Sequence, residues 1–137
     1  RLEDARFFWH EDLKNSFDKW LEELEHVVFI RGLGTMGDKT RRLEKLCRAI
    51  AEKCDPAVAD NAARAGRLSK ADLVTNMVGE FDTLQGVMGG IYAKRMGEND
   101  AVASAVSEQY LPAGPDSPRG RATRRGGRRT GNPWRRK

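Results

Sequence analysis

Residues 47–70, CRAIAEKCDPAVADNAARAGRLSK, read as a helix, a stop and a second helix, and the fold class is worked out from them. Asp55 and Pro56 form the stop. An Asp accepts the free N–H groups of a helix start, and a Pro fits the first turn because that turn has no use for its missing N–H. The Ala-rich run that follows predicts a helix from Pro56 to about Ala65, with Gly66 near its C-terminal end. Before the stop, Leu43, Leu46, Cys47 and Ile50 recur at helical spacing and are expected on the inner face of a helix ending near Cys54. Cys47 and Cys54 fall on one helical face, roughly 10 Å apart at about 1.5 Å rise per residue, too far for a disulfide. Reduced thiols and a cytosolic setting are the expectation.

The same period extends both ways. Arg6 to Leu13 predicts a first helix. Ser16 is placed to cap a second, striped by Phe17, Trp20, Leu21, Leu24 and Val28. The glycine-rich turn IRGLGTMGD separates it from the third. Beyond residue 68, Ser69 or Lys70 is expected to open a fifth helix with Val74, Met77, Val78 and Phe81 inward. Leu84, Val87, Met88, Ile91 and Tyr92 stripe a sixth, closed by Gly97. Asn99 or Asp100 caps a seventh, with Val102, Val106 and Tyr110 inward. No segment alternates with period two for long enough to predict a strand. The fold class is all-α, about seven helices over residues 1–111.

From LPAGPDSP onward the pattern stops. Residues 112–137 are rich in Pro, Arg and Gly, have almost nothing apolar to bury, and are expected to be disordered. Residues 1–118 carry 16 Lys and Arg against 20 Asp and Glu, whereas 119–137 carry nine basic residues and no acid. The overall charge of +5 therefore belongs to the tail, and basicity gives no ground for reading the body as a nucleic-acid binder. No run of 18 apolar residues and no signal-like leader occurs, so no membrane association is expected, and the entry straight into helical pattern reads as part of a larger protein.

Few residues suggest chemistry. The turn GLGTMGDK lacks the Gly-Lys-Ser/Thr ending and the preceding strand of a phosphate loop, and reads instead as a helix–helix connection. Lys39, Arg41, Arg42 and Lys45 crowd the first turns of the third helix, where the dipole disfavours cations. Either an RNA phosphate sits nearby or the face is simply solvated. His10 and His26, the only histidines, have no ligand-spaced partner, so neither a metal site nor a Ser-His or Cys-His pair is expected. Lys70 and Asp72 read as the exposed first turn of the fifth helix.

Four segments in order, ARFFWHEDLKN (5–15), LGTMGDKTRR (33–42), LSKADLVTNMVGEFDTLQGVMGGIYA (68–93) and GENDAVASAVSEQYLP (97–112), closely resemble the beta subunit of bacterial glycyl-tRNA synthetase. The resemblance runs from about residue 1 to 118. It implies a degenerate HD-like helical domain that engages tRNA, while the anticodon-binding region lies further along such subunits. It also implies an alpha subunit bearing the catalytic core, glycine tRNA, a second beta subunit in a tetramer of two alpha and two beta, ATP and Mg used by the assembled enzyme, and a cytoplasmic location. No cofactor is expected on these residues themselves.

In metal-dependent HD hydrolases this helix pair usually ends in Leu-His-Asp, because the ion needs imidazole and carboxylate together. Here Leu68 is followed by Ser69 and Lys70, and an ammonium repels a divalent cation. The resemblance thus implies a scaffold without its ligands, with Lys39, Arg41, Arg42 and Lys70 as candidate phosphate contacts. Two alternatives are kept: a surviving HD phosphohydrolase, and a non-specific polyanion binder driven by the Arg-rich tail. Two departures stand out. Ile30 replaces a more polar family run before the glycine turn, and the family continues into apolar helices where this chain turns to Arg and Gly. For that second change a reading-frame shift near Asp116 or a truncation is favoured over a genuine basic tail, and it would leave an uncovered apolar face on the body.

Overall fold

The computed structural model describes residues 1–116. Seven α-helices make up most of it: α1 Leu2–Asp12, α2 Phe17–Leu24, α3 Met36–Cys54, α4 Ala59–Leu68, α5 Asn76–Glu80, α6 Val87–Arg95 and α7 Asp100–Ser107. Short 3-10 turns at Pro56–Val58, Ala71–Val74 and Asp82–Leu84 join several of them. The all-α reading holds. No helix among the described residues is long and apolar enough to cross a membrane. The expected tail falls almost entirely at 117–137, outside the described residues.

Several starts follow the side chains that satisfy free N–H groups. Ser16 accepts from the Lys19 N–H, Asp55 from Ala57 and Asn99 from Val102. Thr35 and Asp38 bond each other's backbone N–H in a capping box that starts α3.

Other boundaries differ from the sequence reading. Val28 leaves α2 and enters a two-stranded antiparallel hairpin, β1 Val28–Ile30 with β2 Gly34–Thr35, where no strand was predicted. The hairpin is too short to show an alternation, and its turn depends on Gly32 and Gly34 at φ of +89° and +87°, a region that side chains resist. Helix α1 starts earlier than Arg6, and α4 starts at Ala59 because Pro56–Val58 closes as a 3-10 turn. Gly66 lies inside α4. A Cβ there would come 2.9 Å from the Leu43 carbonyl oxygen, so its bareness lets α3 and α4 cross at backbone contact. Ser69 and Lys70 open no α-helix: Ser69 ends α4, Lys70 leads into the 3-10 turn Ala71–Val74, and α5 starts only at Asn76, capped by Thr75.

The core lies where α1, α2, α4, α5, α6 and α7 meet. Trp20 and Tyr92 are almost wholly buried, their rings 5.2 Å apart, with Trp9 stacked on Tyr92 at 5.3 Å and Phe17 edge-on to Trp20. Burying one such ring removes on the order of 200 Å² from water, about 5 kcal/mol before entropy is counted. The inner face of α3 is Met36, Thr40, Leu43, Cys47 and Ala51, whereas Leu46 and Ile50 are 56% and 54% exposed, against expectation. Val87 and Ile91 on α6 also face out, and Tyr110 lies beyond α7 and is exposed.

A cleft between three helices

Two buried carboxylates tie the helices together. Asp12, at the end of α1, accepts from the Asn76 and Met77 N–H groups at the start of α5, from the Asn76 side-chain amide and from the Tyr92 hydroxyl. Burial, with Asp12 at its hydroxyl, pushes Tyr92 far above the ordinary tyrosine range, so it remains a donor. Asp72 was expected in an exposed turn but is fully buried. Its Oδ2 accepts from the Gly86 and Gly89 N–H groups at 2.6 and 2.9 Å, capping α6 from a distance, and its Oδ1 has no hydrogen-bond partner among the described residues. Burial raises its carboxyl above the ordinary range, partly offset by those two N–H groups.

The basic residues at the start of α3 go different ways. Arg41 is forked between Glu25 and Asp38, which hold its guanidinium above its ordinary value and are themselves lowered, Glu25 chiefly by Arg41 and Asp38 chiefly by the Thr35 N–H. The cost of a cation at this helix end is thus met by the chain's own acids. Arg42 is exposed and, among the described residues, makes no ion pair. Lys39 sits 4.0 Å from the centroid of the Phe29 ring.

Lys70 donates to Gln109 Oε1 and to the Tyr110 hydroxyl, each at 2.7 Å, and lies 4.3 Å from the Tyr110 ring centroid. Beside it the Ser69 hydroxyl donates to the Gly66 carbonyl at 2.9 Å. Lys39 and Lys70 line one cleft of about 470 Å³ between α3, α4 and α7, and Arg41 and Arg42 do not. Leu43, Cys47, Ala62, Ala65 and Ala105 make its apolar wall. Gln109 was missed in the sequence, where nothing marks it. It donates to the Ser69 carbonyl and accepts from Lys70, joining the end of α7 to the end of α4.

A divalent ion does not fit this donor set. The hydroxyl and ammonium at Ser69 and Lys70 are already engaged within the chain, and no group of three His, Cys, Asp or Glu assembles among the described residues. His10 and His26 are exposed on α1 and just after α2. The glycine turn is a hairpin bend whose second glycine lies under the Asp38 carboxylate, which would repel a phosphate.

Comparison with known proteins adds a family. A sequence model described as "Glycyl-tRNA synthetase beta subunit" matches residues 1–124. The chain is 67% identical over 118 residues to the glycine–tRNA ligase beta subunit of Oleidesulfovibrio alaskensis, covering 86% of this chain and 17% of that protein. It is 69% identical over 118 residues to the same-named subunit of Nitratidesulfovibrio vulgaris, with the same two shares. With that of Clostridioides difficile it shares 53% over 115 residues, 82% of this chain and 16% of the other. The chain thus spans about a sixth of the length of these curated relatives.

Proposed function

The chain belongs to the glycyl-tRNA synthetase beta-subunit family, and on that footing we propose that it serves glycine–tRNA ligation as an RNA-contacting and assembly element without a reaction centre of its own. The observation that carries this reading is the family match across residues 1–124, with 69% identity to one relative over 118 residues. In this reading the partners are the alpha subunit, glycine tRNA and a second beta subunit in a tetramer of two alpha and two beta. ATP and Mg are handled by the rest of the assembled enzyme, and the setting is the cytoplasm.

Phosphate contact falls to Lys39, Arg42 and Lys70, whose charges meet no carboxylate among the described residues. Arg41 has the smallest share, because Glu25 and Asp38 already take its donors. An HD phosphohydrolase is the weaker reading, since a metal needs ligands that Ser69 and Lys70 do not offer.

The test is a chimaera in which the matching 118 residues replace their counterpart in the Nitratidesulfovibrio vulgaris beta subunit, assembled with its alpha subunit. Lys39→Glu with Arg42→Glu is expected to lower kcat/KM for tRNA about tenfold, the loss of one or two charge-assisted contacts. Amino-acid activation is measured in parallel as the control. Unchanged kcat/KM for tRNA at physiological salt would remove this face from RNA contact.

A further inference from the structure

We propose that the cleft between α3, α4 and α7 holds one unpaired nucleotide of RNA, its base against the apolar wall and its phosphate at Lys39 and Lys70. This deepens the RNA-contact reading and rests on it. The cleft's volume of about 470 Å³ lies within the usual range of small-ligand pockets. Its wall is Leu43, Cys47, Ala62, Ala65 and Ala105, with no acid among the lining residues to repel a phosphate.

The two ammonium groups are held without being neutralised. Each rests against an aromatic ring, at 4.0 Å for Lys39 and 4.3 Å for Lys70, which fixes the amine and leaves its charge free. An ammonium has three N–H donors, and Lys70 uses two on Gln109 and Tyr110, leaving the third for a phosphate oxygen.

The geometry favours an unpaired nucleotide over a duplex. A duplex keeps its bases stacked inside and offers only phosphate and sugar, which leaves the apolar wall unused. An unpaired residue supplies both a planar apolar face and an anion. Base identity matters little here, because the nearby polar groups are already committed: Gln109 Nε2 donates to the Ser69 and Val106 carbonyls, and the Ser69 hydroxyl to Gly66.

The experiment uses the whole 137-residue chain, nitrogen-15 labelled, titrated with adenosine 5′-monophosphate, adenosine, a short oligouridylate, inorganic phosphate and a blunt RNA duplex. Saturable shifts are expected at the Gly66, Ser69 and Ala105 amides with the mononucleotide and the single strand. These resonances separate the cleft from binding elsewhere on the chain. Ala105 is an exposed residue on the cleft's edge, so Ala105→Trp fills the space from outside the core and is expected to weaken the mononucleotide about tenfold or more. Lys39→Met, a second variant away from the core, is expected to weaken the mononucleotide more than adenosine.

Inorganic phosphate binding as tightly as the mononucleotide would overturn the proposal, as would mononucleotide binding undiminished in Ala105→Trp. If glycine tRNA still binds but the mononucleotide shifts none of these amides, the cleft assignment fails and the RNA-contact reading survives. If the cleft amides respond but the charge-reversed chimaera charges tRNA normally, the cleft binds nucleotides without serving tRNA charging, and the Lys39 and Arg42 part of the RNA-contact reading fails instead.

Discussion

Asp12→Ala probes whether the chain's longest-range polar junction stabilises the fold or merely accompanies it. Asp12 is 1% exposed, and its two oxygens take four hydrogen bonds: Asn76 N at 2.8 Å, Asn76 Nδ2 at 3.0 Å, Met77 N at 3.0 Å and the Tyr92 hydroxyl at 2.7 Å. Two of these donors are first-turn N–H groups of α5, whose next free N–H, that of Val78, goes to Thr75. After truncation Asn76, which is exposed, turns to water. Met77 and Tyr92 stay buried and lose their acceptor. At about 1–3 kcal/mol for each buried donor left unpaired, the loss centres on about 4 kcal/mol. That is a large part of the 5–15 kcal/mol typical of a whole domain, roughly speaking. Equilibrium urea unfolding followed by tryptophan fluorescence measures it. Tyr92→Phe removes one donor and leaves the carboxylate three, so it is expected to cost about 1–1.5 kcal/mol, and the double variant less than the sum of the two. An Asp12→Ala loss under about 1 kcal/mol, or strict additivity with Tyr92→Phe, would refute the reasoning.

Asp72→Asn keeps an oxygen for the Gly86 and Gly89 N–H groups and is expected to be tolerated far better than Asp72→Ala in the same urea assay. Because burial raises the Asp72 carboxyl above its ordinary 3.8, the folded chain holds that proton more tightly than the unfolded chain. The wild type should therefore gain stability relative to Asp72→Asn as pH falls from neutral towards 3.8, levelling off below it; a difference independent of pH would contradict this. Gly66→Ala sets a methyl group 2.9 Å from the Leu43 carbonyl oxygen, against backbone that cannot swing aside, and is expected to cost about 1–3 kcal/mol by calorimetry. A neutral or stabilising result would mean that α3 and α4 separate freely.

Helical class and several starts were legible because they depend on neighbours in sequence. Ser16, Asp55 and Asn99 each cap a turn two or three residues away; the equally local Thr35–Asp38 box was not singled out. Which face of α3 turns inward was only half legible, because a partner decides it: Leu43 and Cys47 lie inward as expected, whereas Leu46 and Ile50 do not. Hydropathy favours Leu46 and Ile50, yet α4 approaches along Thr40, Leu43, Cys47 and Ala51, where Gly66 permits backbone contact. Small residues at a crossing contribute little apolar signal, so the pattern points to the larger side chains beside them. Asp72 was misplaced for a related reason: its partners are backbone N–H groups on another helix, which no side-chain pattern records.

The cleft was hidden by the same cause that shaped the fold. Lys39 and Lys70 were singled out for their charge alone, and only the packing of α3, α4 and α7 brings them to one space. That space exists because α4 presents Ala62, Ala65 and Gly66 towards α3 and α7. Glycine at 66 draws the helices to contact at one point, and the short alanines beside it leave the neighbouring wall unfilled. A longer side chain at Ala62 or Ala65 would close the cleft even with both lysines in place. The capacity to take an anion with an apolar body therefore depends on the alanines of α4 as much as on the two amines.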